Sequence, residues 1–206
     1  QGFGILGFTN SDALMLTYNG KTPLLGTNPI CFASPFEKDN PFCLDMATTT
    51  FTWNKLLNFK NLNKILPDNV AANKKGVRTK DPSKAFSLLP LGGYKGFGLA
   101  IMVEILTAII ANMPLDYEIP RMFANTKKQR KISQSYILFN INIGGSKIQF
   151  KNNLKKLSRK IRSEKNNKYS AMIPNDKENI FKKERQIRGI PINRNIYDDL
   201  KKLSDM

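Results

Sequence analysis

Gly98 to Met113 is the longest apolar run in the chain, 16 residues with Glu104 near its middle and Pro114 just after it. A bilayer span needs about 20 such residues and tolerates a central carboxylate poorly. The run therefore reads as a buried helix, Leu99 to Asn112, and the chain has to fold around it. With 206 residues, 41% of them hydrophobic, there is enough apolar surface to do so in one or two domains. Disorder, collagen and disulfide scaffolds are excluded by the same composition. No His is present and only two Cys, Cys31 and Cys43. A His-based zinc site, a four-thiolate site and imidazole acid/base chemistry are therefore outside the repertoire of these residues. The two cysteines suit a reducing cytosol, where they remain thiols.

The net charge of +17 is unevenly distributed: residues 1–120 carry +2 and residues 121–206 carry +15. The expected domain boundary divides residues 1–150, with the mixed sheet and the glycine loop plus helix, from a basic helical segment, 151–206, that packs back on it. The lysines of the basic part are not interleaved with aromatics for base stacking, and no nucleic-acid motif is present. They fall on solvated helix faces, with Leu154, Leu157 and Ile161 at helical spacing between them. Specific nucleic-acid binding and membrane insertion are not expected.

Strands are expected at Gly2–Phe8, at Ile30–Ala33 and Phe42–Met46 around the polar turn Glu37-Lys38-Asp39-Asn40, and at Ser135–Ile143. Helices are expected from Thr48 to Phe59, from Lys151 to Arg162, and at Ile180–Gln186 and Tyr197–Leu203. Strands alternating with helices predict a mixed α/β (α+β) fold. Gly2-Phe3-Gly4-Ile5-Leu6-Gly7 satisfies G-x-G-x-x-G, but a Thr-Asn-Ser turn follows it where the dinucleotide fingerprint needs a helix. A glycine-rich strand in close packing is the better reading.

Leu91-Gly92-Gly93-Tyr94-Lys95-Gly96-Phe97-Gly98 joins glycines, a compact cation and the start of the long helix. Backbone can approach a ligand closely there, and helix N–H groups and Lys95 would face a phosphate. An anion site and a structural glycine turn both remain open for it. Asp45, ending an apolar strand before Met46-Ala47-Thr48, is either a helix cap or an acceptor for a ribose hydroxyl.

Six segments in order resemble the malate/L-lactate dehydrogenase type 2 family. They are Thr9-Asn10-Ser11, Leu25-Gly26-Thr27-Asn28-Pro29, Leu44 to Thr49, Gly76 to Pro82, the Lys95 loop, and the C-terminal set Ile173-Pro174-Asn175-Asp176, Lys183-Glu184-Arg185 and Gly189-Ile190-Pro191-Ile192. The resemblance implies a non-Rossmann NAD(P)-binding fold, a cytoplasmic homodimer, and hydride transfer between NAD or NADP and a small 2-hydroxy or 2-oxo acid. It implies cofactor contacts from Ser11, Asp45, Met46, Ala47 and Lys95, and from Asn175 and Asp176, where the family commonly has Gly-Glu or Gly-Gln. It also implies that the chain corresponds to roughly the last three fifths of such an enzyme, with the family's acid/base histidine upstream of Gln1. On that reading the 206 residues alone are not a competent catalyst; the alternative is a non-catalytic remnant of such an enzyme.

Overall fold

The computed structural model describes residues 2–37, 40–122, 124, 127–166, 168–192 and 194–204. Lys38 and Asp39 of the expected turn lie outside them. The glycine-rich start is β1 (Phe3–Thr9), and β4 (Ile30–Ser34) and β5 (Phe42–Met46) follow as the predicted antiparallel pair. With β8 (Gln134–Asn140) they form an antiparallel sheet of order β5-β4-β1-β8. A second sheet of order β3-β2-β7-β6 is built from short strands: β2 (Met15–Leu16), β3 (Pro23–Leu25), β6 (Ala71–Ala72) and β7 (Ser87–Leu88). Its β2–β7 pair is parallel and its other pairs antiparallel, so the fold is mixed α/β.

The glycines of β1 admit aromatic rings. A Cβ on Gly4 would run into the Phe139 ring, and one on Gly7 would meet Tyr136 at 3.4 Å. Both aromatics come from β8, each directly opposite its glycine. The strand leads into a turn, so the G-x-G-x-x-G spacing here serves sheet packing.

Helix α1 (Trp53–Asn61) starts later than the expected Thr48, because Thr48 and Thr49 are occupied elsewhere. The Thr48 hydroxyl donates to Thr27 O at 2.9 Å, and that of Thr49 to Phe51 O at 2.8 Å. Thr52 takes the capping role instead, its hydroxyl accepting from the Lys55 amide. Leu56 then joins Phe51, Leu66, Val70, Ala71 and Leu88 in the principal core cluster.

The long apolar helix differs most from expectation. α2 (Tyr94–Glu104) begins inside the glycine loop, so Lys95 sits in its first turn and Gly96 and Gly98 are helical residues. Gly92 and Gly93 supply the positive φ values, 58° and 66°, that turn the chain into it. Gly96 lets this first turn press on the backbone of Leu91 and Thr48, which a Cβ would strike. After Glu104 the helix widens into a π-helical stretch, Ile105–Ile109. Ile101, Ile105, Ile109 and Ile110 are exposed, so the run buries one side only.

Beyond β8 come α3 (Lys147–Ser163), α4 (Asp176–Arg188) and α5 (Arg194–Ser204). The domain boundary expected at 150 falls within the first turn of α3. Arg162 of α3 meets Asp176 of α4 and lies over the Phe36 ring, and the Asn175 side chain donates to Pro41 O, tying α3 and α4 to the loop between β4 and β5.

Two glycines of α2 should respond oppositely to alanine. At Gly98 nothing lies within 4 Å of a new Cβ, so Gly98→Ala should gain about 0.5–1 kcal/mol from helix propensity. At Gly96 the collision with backbone outweighs that gain, and Gly96→Ala should lose roughly 1–3 kcal/mol. Urea denaturation midpoints of the two variants check the difference in sign.

Candidate functional site

A cleft of about 620 Å³ opens where four segments meet, a size typical of small-molecule sites. The β1–β2 turn contributes Asn10, Ser11 and Asp12; the β3–β4 loop contributes Thr27 and Pro29. Ala47 and the first turn of α1, Thr52 to Asn54, form a third side, and Arg121, Met122, Ala124, Arg130, Ile132 and Gln134 the fourth.

The floor is tightly specified. The Thr27 amide donates to the Ser11 hydroxyl oxygen at 3.0 Å, leaving the hydroxyl hydrogen free to donate elsewhere. Gly26 is required for that approach, since a Cβ there would collide with the Ser11 side chain. The Asn10 side chain accepts from the Ser133 amide at 2.8 Å. Buried Asp12 is ion-paired with Arg130, fixing a guanidinium on the cleft wall. Arg121 stacks over the Phe86 ring, 4.6 Å from its centroid. Thr52, Trp53 and Asn54 at the N-terminus of α1 line the same space, and a helix N-terminus together with Arg121 favours an anionic guest.

Behind the floor lie two buried carboxyl groups. Asp116, which opens the 3₁₀ turn Asp116–Glu118, accepts through Oδ2 from the Gly26 amide at 2.6 Å and from Asn28 Nδ2 at 2.7 Å. Glu104, at the end of α2, accepts the Asp116 amide at 2.9 Å. Burial first, and then the hydrogen bond to the Asp116 carboxyl, push the Glu104 carboxyl up to about 8.

The sequence-predicted residues fall in three places. Ser11 and Ala47 line the main cleft. Asp45 is exposed at the end of β5, in a small depression that shares Thr9, Pro29 and Gln134 with that cleft, and Met46 lies between them, opposite Ile30. Lys95 is exposed and does not line the cleft; its neighbours Gly92 and Gly93 border a second cleft of about 540 Å³ with Tyr18, Asn69 and Arg78. Asn175 and Asp176 are at a third place, the start of α4. Asp176 is held by Arg162 at 2.6 and 3.0 Å and by the Ile173 amide, and the guanidinium keeps its carboxyl below the usual range. Its visible role here is structural.

Sequence reasoning missed Asp12, Arg121 and Arg130, and it noticed Glu104 only as a costly charge. Asp12 adjoins the Asn10-Ser11 motif and could have been included with it. Nothing local marks its partner, which lies 118 residues away.

Residues 1–201 match the family model for malate/L-lactate dehydrogenase. The chain belongs to this family. It is 31% identical over 201 residues to the ureidoglycolate dehydrogenase (NAD(+)) of Escherichia coli K12, covering 97% of this chain and 58% of that protein. It is 33% identical over 198 residues to the L-sulfolactate dehydrogenase of Methanocaldococcus jannaschii, covering 95% of this chain and 56% of the relative. The solved sulfolactate dehydrogenase structure from that organism superposes on all of this chain, and on 59% of its own, with a TM-score of 0.86 and 31% identity. The malate dehydrogenase structure from Entamoeba histolytica, 22% identical, shares the fold at a TM-score of 0.89 over 99% of this chain and 61% of its own. The chain thus spans a little under three fifths of the curated relatives it matches, the extent the motifs imply. Among the described residues no helix is long and apolar enough to cross a membrane.

The Glu104 carboxyl makes stability fall with rising pH. Its folded value lies above its ordinary one of 4.5, so its contribution is complete below about pH 4.5 and is lost as pH rises through about 8. Glu104→Gln should flatten this part of the profile. Urea midpoints taken from about pH 5 to about pH 9 would show whether it does.

Proposed function

We propose that the chain supplies the nicotinamide-nucleotide-binding part of an NAD(P)-dependent oxidoreductase acting on a small 2-hydroxy or 2-oxo acid. The observation that carries this reading is the main cleft, where Ser11 and Ala47 stand beside a helix N-terminus and an arginine. When bound, the nicotinamide would exchange a hydride with the 2-carbon of the acid.

These residues do the binding and orienting. Ser11, with its lone pair engaged by the Thr27 amide, donates its hydroxyl hydrogen to a polar group of the cofactor. The α1 amides and Arg121 offset phosphate charge. Asp45 accepts from a ribose hydroxyl at the cleft's edge, while Met46 and Ala47 lie along the cofactor. Lys95 at the start of α2 would hold a phosphate, and Asn175 and Asp176 at the start of α4 would add contacts to the cofactor. Arg130, held by Asp12, is the cation we assign to the substrate carboxylate.

Both cofactors remain open: the relatives include a ureidoglycolate dehydrogenase using NAD(+) and a sulfolactate dehydrogenase using NADP(+). A cytoplasmic homodimer goes with this reading, and the exposed Ile101, Ile105, Ile109 and Ile110 of the long helix offer it an apolar face. Asn175 and Asp176 stand where the family commonly has Gly-Glu or Gly-Gln, which favours a second reading, a non-catalytic remnant that kept the fold. Moving the hydroxyl proton normally requires an acid/base group worth roughly 10²–10⁴ in rate.

The test is a fluorescence titration of the 206-residue chain with NADH and NADPH. Saturable binding of one of them is expected, with no turnover of a 2-oxo acid. Absence of binding to both would remove the proposal. Ser11→Ala should weaken binding about two- to tenfold, the value of one hydrogen bond. Lys95→Ala should weaken it most at low salt; an unchanged affinity would move the phosphates to α1 and Arg121.

A further inference from the structure

Among the described residues, two buried carboxyl oxygens behind the cleft, Glu104 Oε2 and Asp116 Oδ1, have no hydrogen-bonding partner, nor does Asn28 Oδ1 beside them, although each carboxyl's other oxygen is well served. An unsatisfied buried carboxylate oxygen is costly, and two like charges in contact are more so. The two carboxyls are within hydrogen-bonding reach of each other, and one proton placed between them removes both difficulties. We propose that Glu104 and Asp116 share a single proton, and that this proton positions the Gly26–Asn28 loop and through it the Ser11 hydroxyl at the floor of the cleft.

The surroundings favour this division of charge. Asp116 receives two N–H donors on Oδ2, which suits the ionised form, while Glu104 receives a single amide. Glu104 therefore carries the proton and donates it to Asp116. Among the described residues no cation is paired with either carboxyl. Glu118, on the same 3₁₀ turn, is a further carboxylate and raises the cost of a second charge. The Gly26–Asn28 loop and β3 bring no charged side chain, and α2 places its one cation, Lys95, in its exposed first turn. Asp12 lies on the turn whose Ala13 amide donates to Asp116 O, but it is committed to Arg130.

The path from the proton to the cleft is short. Asp116 Oδ2 holds the Gly26 amide and the Asn28 side chain, and Asn28 also donates to Ala100 O at 3.1 Å, anchoring the loop to α2. Thr27, between the two held residues, donates its amide to Ser11 and accepts from the Thr48 amide and hydroxyl through its carbonyl. When the proton leaves, the second carboxylate charge forces Glu104 and Asp116 apart. The loop follows Asp116, and the Thr27–Ser11 bond loosens. Glu104 and Asp116 are thus positioning residues for the binding site. Only the ligand readout below rests on the nicotinamide reading.

The experiment follows the amide resonances of Gly26 and Thr27 by NMR, from about pH 6 to about pH 10, in the chain and in Glu104→Gln and Asp116→Asn. Both resonances should move together with one midpoint near that of Glu104 and be flat in either variant, because an amide replaces the shared proton with a fixed N–H. A static Gly26 resonance in the parent chain, a midpoint that persists in both variants, or a Gly26 shift not accompanied by Thr27 would each overturn the proposal. Asp116→Asn stands in if Glu104→Gln does not fold. In parallel, NADH affinity should fall roughly fivefold or more across the same midpoint in the parent chain and not in Glu104→Gln. If NADH does not bind at any pH while the resonances behave as described, the cofactor reading fails and the shared proton stands. If NADH binds equally at both ends of the range, the coupling to the cleft is wrong.

Discussion

The Asp116 carboxylate is the point from which the cleft is built. It fixes the Gly26 amide and the Asn28 side chain across 90 and 88 residues of sequence, and its own amide is fixed by Glu104. Two donors on one buried carboxylate oxygen make charge-assisted bonds, roughly twice as strong as neutral ones. The long helix, the β3–β4 loop and the 3₁₀ turn are thereby held in one arrangement. The glutamate that interrupts the apolar run is needed for the same reason: a leucine there would pack but leave the Asp116 amide without an acceptor.

Missing side chains matter as much as charged ones. Gly26 allows the loop to reach Ser11, and Gly96 allows the first turn of α2 to lie on Thr48 and Leu91. Thr48 consequently touches both regions: it donates to Thr27 beneath the cleft, and its carbonyl accepts the Leu91 amide ahead of α2. Thr48 therefore links the floor of the main cleft to the start of α2 through hydrogen bonds alone.

Much of the fold was legible locally. The alternation of β1 and β8, the pairing of β4 with β5 and the three C-terminal helices follow from periodicity and turn residues acting over a few positions. The boundaries of α1 and α2 were not legible. Thr48 and Thr52 are equally good caps in sequence, and only the capture of Thr48 by Thr27 leaves the role to Thr52. Gly96 looks like a helix breaker until the backbone of Leu91 and Thr48 is seen against it. The ordered motifs placed the chain in its family, and Ser11 and Ala47 reached the cleft, but spacing could not reveal that Asp176 is spent on Arg162.

By itself the sequence determined that this chain folds, in a mixed α/β class, around an apolar helix, with its basic charge gathered in the last 86 residues. Those properties are summed over residues or repeat at short range, so they survive being read in one dimension. The tertiary structure alone decided which charges meet. Arg130 finds Asp12, and Glu104 finds Asp116, because packing brings distant backbone together and a buried charge persists only beside a partner. No local pattern encodes that choice, since a charged residue's type says nothing about which distant partner packing will bring to it.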